Sequence, residues 1–404
     1  MPAPTTRLPN PPTAAPPSRA PLPVKKTAAL PAPHLSGPRL FQVMRVGLVV
    51  WTLVSTVLCL ASVLASQSHQ ESSAGALIHA QDLRDLRCEV AQAQATALTS
   101  LVGPQSSSSD LWDAYVSSRT QIDLLLLGSA ASAAHPADLG PVADTLRVWQ
   151  ENLAVTRHDA LGPGMAAGAT GDITASYTDV MSAIAAELSA TADQESSSTP
   201  FIVLSLLASV LGGLGFVVVS VLTARRSHRV INIGLSIGLL AIIAAIVAVG
   251  VYANRSGEIS VTDTRIAALS QAESDTWDSL TQDSLSVLEP DSWQSHTGLA
   301  GDLLTSVQNN LDGLSPVADI TALTTTQSDI ASADDPDARS ALVTDLSPWQ
   351  ATASAIDAAI DAARPDSADL VVPALGYVVT VATCCVIAII ATLAGIHART
   401  KEYS

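Results

Sequence analysis

Charge is scarce in this chain of 404 residues, at 14% of positions, and aromatic side chains make up only 3%. Soluble domains carry roughly a quarter charged residues, so an ordinary soluble fold is excluded. Lysine occurs only at Lys25, Lys26 and Lys401. Of the four cysteines, Cys59, Cys384 and Cys385 lie in apolar runs, and Cys88 stands alone outside them. A single cysteine builds no disulfide framework, and Cys88 is read as a small buried core residue. The phosphate-binding loop, the dinucleotide fingerprint, the His-Glu-x-x-His pair and zinc-spaced cysteines outside the membrane are all missing. His69, His79, His135, His158 and His296 show no metal-binding spacing. No catalytic residue, cofactor or metal site is therefore assigned, and the chain is read as a non-enzyme.

What the chain does have is long apolar runs, at 41–66, 200–223, 230–252 and 370–396. A bilayer crossing needs about 20 such residues. The connector 224–229 holds Arg225, Arg226 and Arg229. Lys and Arg near span ends resist translocation, so this loop is expected in the cytoplasm. Alternation then puts both termini inside and residues 67–199 and 253–369 outside. Charge supports that topology independently. Eleven Lys or Arg and only Glu402 fall on the inner elements, whereas the outer segments hold 36 of 37 acids and no lysine. The expected location is the bacterial plasma membrane, with the basic inner side drawn to anionic lipid. Residues 1–40, with twelve prolines and five basic residues, are read as a disordered cytoplasmic tail. The first span lies too deep for a secretory signal and is read as an uncleaved anchor. The last eight residues, 397–404, form a short inner tail.

Both outer segments have helical periodicity. Leu83, Leu86, Val90, Ala93, Ala97 and Leu101 recur at steps of three and four, as do Ile173, Tyr177, Val180, Ile184 and Leu188. Breaks at Gly-Pro, Glu-Pro, Ser-Pro and Asp-Pro pairs predict helices over 68–102, 108–133, 137–158 and 172–198. In the second segment they predict helices over 256–288, 296–313, 317–332 and 337–363. Each segment is expected to form an up-down bundle. The fold class is thus all-α: four transmembrane helices with two extracytoplasmic helical bundles. Val142, Leu146, Trp149, Leu153 and Thr156 share 4-3-4-3 spacing with Leu342, Leu346, Trp349, Ala353 and Ile356, and each tryptophan precedes a glutamine. That similarity, with the repeated span–segment–span plan, points to tandem duplication, and Trp149 and Trp349 are the expected bundle cores.

Gly234-Leu235-Ser236-Ile237-Gly238 has the form of a hydrolase elbow, but its span contains no His, Asp or Glu to serve it. It is read as a packing surface in which Gly234 and Gly238 let another helix approach. Gly212, Gly213, Gly215, Gly376, Ala391 and Gly395 are read likewise, and Pro373 as a kink in the fourth span. No ionisable residue lies deep in a span, which argues against ion-coupled transport. Asp334-Asp335-Pro336-Asp337 lacks the glycine and distant glutamate of a calcium loop and is read as a solvated helix start.

The inner elements are too small to fold into a catalytic or nucleic-acid-binding domain, so any inward signal must pass to a soluble partner at Arg225, Arg226, Arg229 or the tails. The layout of basic tail, four spans, two acidic helical segments, Arg-rich loop and Trp-Gln seams resembles the GlnX family of actinobacterial membrane proteins. That resemblance implies an amino-acid-binding lipoprotein (GlnH) outside and a soluble Ser/Thr kinase (PknG) inside. The function it implies is relay of extracellular aspartate or glutamate status to the kinase; a homo-oligomer is compatible with the sequence, which leaves the oligomeric state open. The alternatives are a direct small-molecule sensor and a cell-envelope scaffold.

Overall fold

A computed structural model describes residues 37–102, 105–132, 139–160, 169–194, 199–227, 233–314, 318–365 and 372–402. Among these residues there is no strand, and the fold is all-α. The helices are α1 (Gly37–Val102), α2 (Gln105–Ser132), α3 (Gly140–Ala160), α4 (Ala169–Gln194) and α5 (Thr199–Ser227). They continue as α6 (Ile233–Leu288), α7 (Trp293–Leu311), α8 (Thr321–Ser332), α9 (Pro336–Val343), α10 (Ser347–Ala363) and α11 (Ala374–Glu402). Four helices are long and apolar enough to cross a membrane, through Gln42–Ser68, Pro200–Val219, the first part of Ser236–Leu288 and Ala374–Gly395.

Two helices dominate. No proline falls between Pro38 and Pro104 or between Pro200 and Pro290, so nothing interrupts the backbone ladder of α1 or α6. The 66 residues of α1 extend about 100 Å and the 56 of α6 about 84 Å, at ~1.5 Å per residue. Each therefore leaves its apolar span and continues directly into the polar outer part. Pro290 ends α6 by driving Glu289 out of the helical region, to φ −120° and ψ 71°.

The apolar ends of α1, α5, α6 and α11 pack on one another. Leu48, Phe216, Ala241, Ile242 and Ala388 form one cluster, and Cys59, Ala208, Ala245, Val249 and Val381 form another. Trp51 donates its indole N–H to the Leu211 carbonyl at 3.0 Å, and the Cys59 thiol lies 3.4 Å from Ser209 Oγ. Val57, Leu214, Leu240 and Ile390 point outward, an apolar belt whose exposure is inexpensive only in hydrocarbon.

The polar parts beyond the apolar belt enclose two cores. In the first, the stripe Leu83, Leu86, Val90, Ala93 and Ala97 of α1 meets Tyr115 and Ile122 of α2, Trp149 of α3 and Ile173, Val180 and Ile184 of α4. In the second, Ile266, Leu269, Trp277 and Leu280 of α6 meet α7 to α10 around Trp349, Ile356 and Ile360.

Three expectations need correction. The helix expected over 337–363 is two, α9 and α10. The Asp345 carboxylate accepts from the Ser347 backbone N–H at 3.1 Å and its hydroxyl at 2.6 Å, and Pro348 then starts α10. The spacing from Leu342 to Ile356 therefore crosses a turn and does not lie on one helix. Pro373 does not kink the fourth span, because α11 begins after it at Ala374, where a missing N–H costs nothing. Nor are the two outer cores closed against each other: Leu285 of α6 belongs to the first, and Ala91 and Ala95 of α1 to the second. Asp335 caps α9, its carboxylate accepting from the Asp337 N–H, as a helix start requires.

Candidate functional site: the seam between the outer segments

Outside the apolar belt, α1 and α6 run side by side, and their joint is built from small and polar residues. Cys88, Ala91 and Ala95 of α1 and Ser270, Ala272, Ser274 and Ser284 of α6 are buried there. Short side chains let the backbones approach, so polar groups bond across at close range. Arg84 donates to both Asp263 oxygens, at 2.6 and 3.2 Å. The Cys88 thiol donates to the Ser270 carbonyl at 3.3 Å, and Thr99 and Ser284 hydroxyls meet at 2.9 Å. The partners lie 179 to 185 residues apart throughout. That near-constant offset makes the two helices parallel and in register.

Neighbouring elements bond into the same joint. Arg87 donates to Gln271 Oε1 at 2.6 Å, and Gln271 Nε2 donates to Asp275 at 2.6 Å. Ser306 of α7 reaches the other Asp275 oxygen at 2.6 Å. Tyr177 of α4 donates a hydrogen bond to Asp278. Arg364, one residue past α10, donates at 2.9 Å to both oxygens of Asp85, tying the end of the second segment to α1.

Burial sets the protonation of this layer. It pushes the Glu273 carboxyl up to about 8, the charge of Asp357 adding to the effect. It pushes Asp278 up to about 6, against the hydrogen bond from Tyr177 and the charge of Arg87. Asp85 and Glu89 are raised for the same reason, Arg364 opposing the shift at Asp85 and Ser118 opposing it at Glu89. Burial also lifts the Cys88 thiol well above its ordinary value. It is a poor nucleophile, in keeping with a packing role.

The residues singled out from sequence fall in three places. Trp149 and Trp349 are wholly buried, one in each outer core. Each anchors to the long helix of its own segment, Trp149 Nε1 donating to Gln94 at 2.7 Å and Trp349 Nε1 to Ser279 at 3.1 Å. The glycines lie in the apolar bundle. A Cβ on Gly234 would strike the Ala391 carbonyl and stand 2.6 Å from Gly395 Cα, and one on Gly238 would stand 2.6 Å from the Phe216 ring. A Cβ added at Gly212 would stand 3.3 Å from Ser55 Cβ, and one at Gly213 3.5 Å from Ile242 Cγ2. Arg225 is exposed near the end of α5. Arg229 and the Arg226 side chain lie outside the described residues.

Sequence reasoning passed over the seam residues Arg84, Asp85, Asp263, Glu273, Asp278 and Arg364. The available signal was the dense charge of Asp82-Leu83-Arg84-Asp85-Leu86-Arg87 within an apolar stripe, which ordinarily marks a solvated face. Among the described residues no group of three or more His, Cys, Asp or Glu is placed to hold a metal. Among the described residues the fold is all-helical, with four helices able to cross a membrane and two joined cores beyond the apolar belt. No family model, curated protein or solved structure matches the chain.

Proposed function

We propose that the protein is a transmembrane relay, with the outer segments as receiver and the Arg225–Arg229 loop and the tails as transmitter. The observation that carries this reading is the pair α1 and α6. Both pass from an apolar span into the outer domain without a break, and both meet in one polar seam. A packed joint of small and hydroxyl side chains supports alternative registers at lower cost than an interdigitated core. A shift of either helix outside therefore appears at its inner end. A ligand biases such a relay only through its differential affinity for two states.

The input is extracellular aspartate or glutamate carried by a solute-binding lipoprotein, and the output goes to a cytoplasmic Ser/Thr kinase. The orientation follows from the basic inner and acidic outer elements. The paired tryptophans, each bonded to the long helix of its own half, support an origin by tandem duplication.

Affinity capture with solubilised full-length protein is expected to recover both a lipoprotein and a kinase when glutamate is present. Replacing Arg225, Arg226 and Arg229 by glutamine is expected to cut kinase recovery at least about tenfold, the equivalent of ~1.4 kcal/mol, with lipoprotein recovery unchanged. A protease-protection assay first excludes inversion of the spans. Repeated failure to capture a lipoprotein sinks the relay as stated.

One feature favours direct sensing as the second reading. Between α7 and α8 lies a groove of about 280 Å³ lined by Thr297, Leu304, Thr305, Gln308, Gln327 and Ala331, uncharged, with hydroxyl and amide groups set in a mostly apolar wall. Calorimetry on the full-length protein without a lipoprotein separates the two, since only this version gives heat with a small ligand alone. The scaffold alternative predicts that deletion leaves nutrient-dependent phosphorylation unchanged.

A further inference from the structure

The hydrogen-bonding state of the α7–α8 groove restricts what it can hold. Its volume of about 280 Å³ falls just under the ~300–1,000 Å³ of common ligand pockets, so an occupant is of metabolite size. Three of its hydroxyls already give their protons to their own helices. Thr297 donates to the Gln294 carbonyl at 3.2 Å, Thr305 to the Gly301 carbonyl at 3.0 Å and Thr324 to the Thr321 carbonyl at 3.0 Å. Each therefore meets a ligand as an acceptor. Gln327 is only 6% exposed, and its Nε2 donates to the Thr297 carbonyl at 3.1 Å, which ties α8 to α7 at the groove. Gln308 and Ser328 are exposed along the lining and can donate or accept.

Charge complementarity removes most ligand classes. The lining holds no Asp, Glu, Lys, Arg or His. A carboxylate only accepts hydrogen bonds, and here it finds no cation and mostly other acceptors. The exposed acids Asp302 and Asp329, next in the chain to Gly301 and Ser328, oppose an anion further. An ammonium only donates, and in this lining it would be desolvated without a carboxylate partner. A hydroxyl donates, accepts and carries no charge. Leu304, Ala331 and the bare backbone at Gly301 offer apolar surface to the C–H face of a ring.

We propose that the α7–α8 groove binds a small neutral polyol, a monosaccharide or a cyclitol, and excludes charged amino acids. The proposal rests on the direct-sensing reading above and names the ligand class of its groove. Binding there bears on α7, which packs along α6 and joins the seam through Ser306 and Asp275 at 2.6 Å. The ligand thus acts on the helix that continues into the membrane.

The test is calorimetry on full-length protein in lipid nanodiscs, titrated with glucose, inositol, glutamate and methylamine. Saturating heat is expected with glucose or inositol and none with the two charged probes. A Cβ on Gly301 meets nothing within 4 Å, so the side chain of Gly301→Leu has room to fill the groove without moving a neighbour. Leucine is also the better helix former, so the ligand-free Tm should not fall. Polyol affinity is expected to drop at least about tenfold. Gly298→Leu, equally open and exposed but not lining the groove, binds as the wild type does. Ser328→Ala removes one exposed hydroxyl and is expected to weaken binding about fivefold, the scale of one hydrogen bond. Heat with glutamate or methylamine that Gly301→Leu removes overturns the ligand class and leaves direct sensing standing. Polyol binding that Gly301→Leu and Ser328→Ala both leave unchanged overturns the groove as the site. No heat with any of the four probes overturns the proposal and direct sensing together.

Discussion

Trp349→Ala is expected to destabilise the second outer segment by about 3–5 kcal/mol, the range for removing a fully buried aromatic side chain. The indole is wholly buried in the cluster that holds Ile266, Trp277, Val343 and Ile356, and it is the largest of the side chains by which the 17-residue α10 packs into the second core. Truncation also strips Ser279 of the indole N–H at 3.1 Å. Trp349→Phe keeps most of the volume and is expected to lose about 1 kcal/mol for the hydrogen bond plus a smaller packing cost. Trp149→Ala should match the larger figure, for the same reasons in the first core. Trp112, half-exposed with Arg157 over its ring at 5.2 Å, is the contrast and should cost under about 2 kcal/mol on truncation. Denaturant unfolding followed by circular dichroism measures all four, and equal losses at Trp112 and Trp349 would mean the outer cores are not packed as described.

Gly234→Leu should be the most damaging change in the apolar bundle. The new Cβ would enter the Ala391 carbonyl and the Gly395 backbone. No rotamer avoids that, because the obstacle is the main chain of α11. α6 and α11 must separate, at a cost of about 3 kcal/mol or more, the upper end for overpacking. Gly250→Leu serves as the control, since a Cβ there meets nothing within 4 Å, and it should be near neutral. Titration with SDS in mixed micelles compares them. If both variants unfold at the wild-type midpoint, the α6–α11 contact is not the close one described here.

The parts legible in the sequence were those where burial is announced by large apolar side chains at helical spacing. Leu83 to Ala97, Ile173 to Ile184 and the two tryptophan seams all lie in cores. The four apolar runs coincide with the four helices able to cross a membrane. The seam was illegible because its buried faces do not look buried. Cys88, Ala91 and Ala95 on α1 and Ser270, Ser274 and Ser284 on α6 have the composition of a solvated helix face. They are buried because another helix of the same character lies on them. Nothing in one strip of sequence names its partner about 180 residues away, so the two segments read as separate bundles. The split of the last outer helix was missed for a different reason. Spacing from Leu342 through Trp349 to Ile356 is helical across the turn, and only Pro348, with Asp345 ahead of it, marked the break.

The relay rests on the continuity of α1 and α6, and one distance measurement tests it most directly. Spin labels at Val43→Cys and Ile233→Cys, both exposed sites near the inner ends of the two helices, report their separation in nanodiscs once the native cysteines are replaced. Adding the captured lipoprotein with glutamate should change that separation by about 1–2 Å or more, the scale of interface helix shifts. Gly257→Pro, placed in α6 just outside the apolar belt where a side chain has room, breaks the ladder and should abolish the change. A separation that does not move, or that moves equally with Gly257→Pro, contradicts the relay.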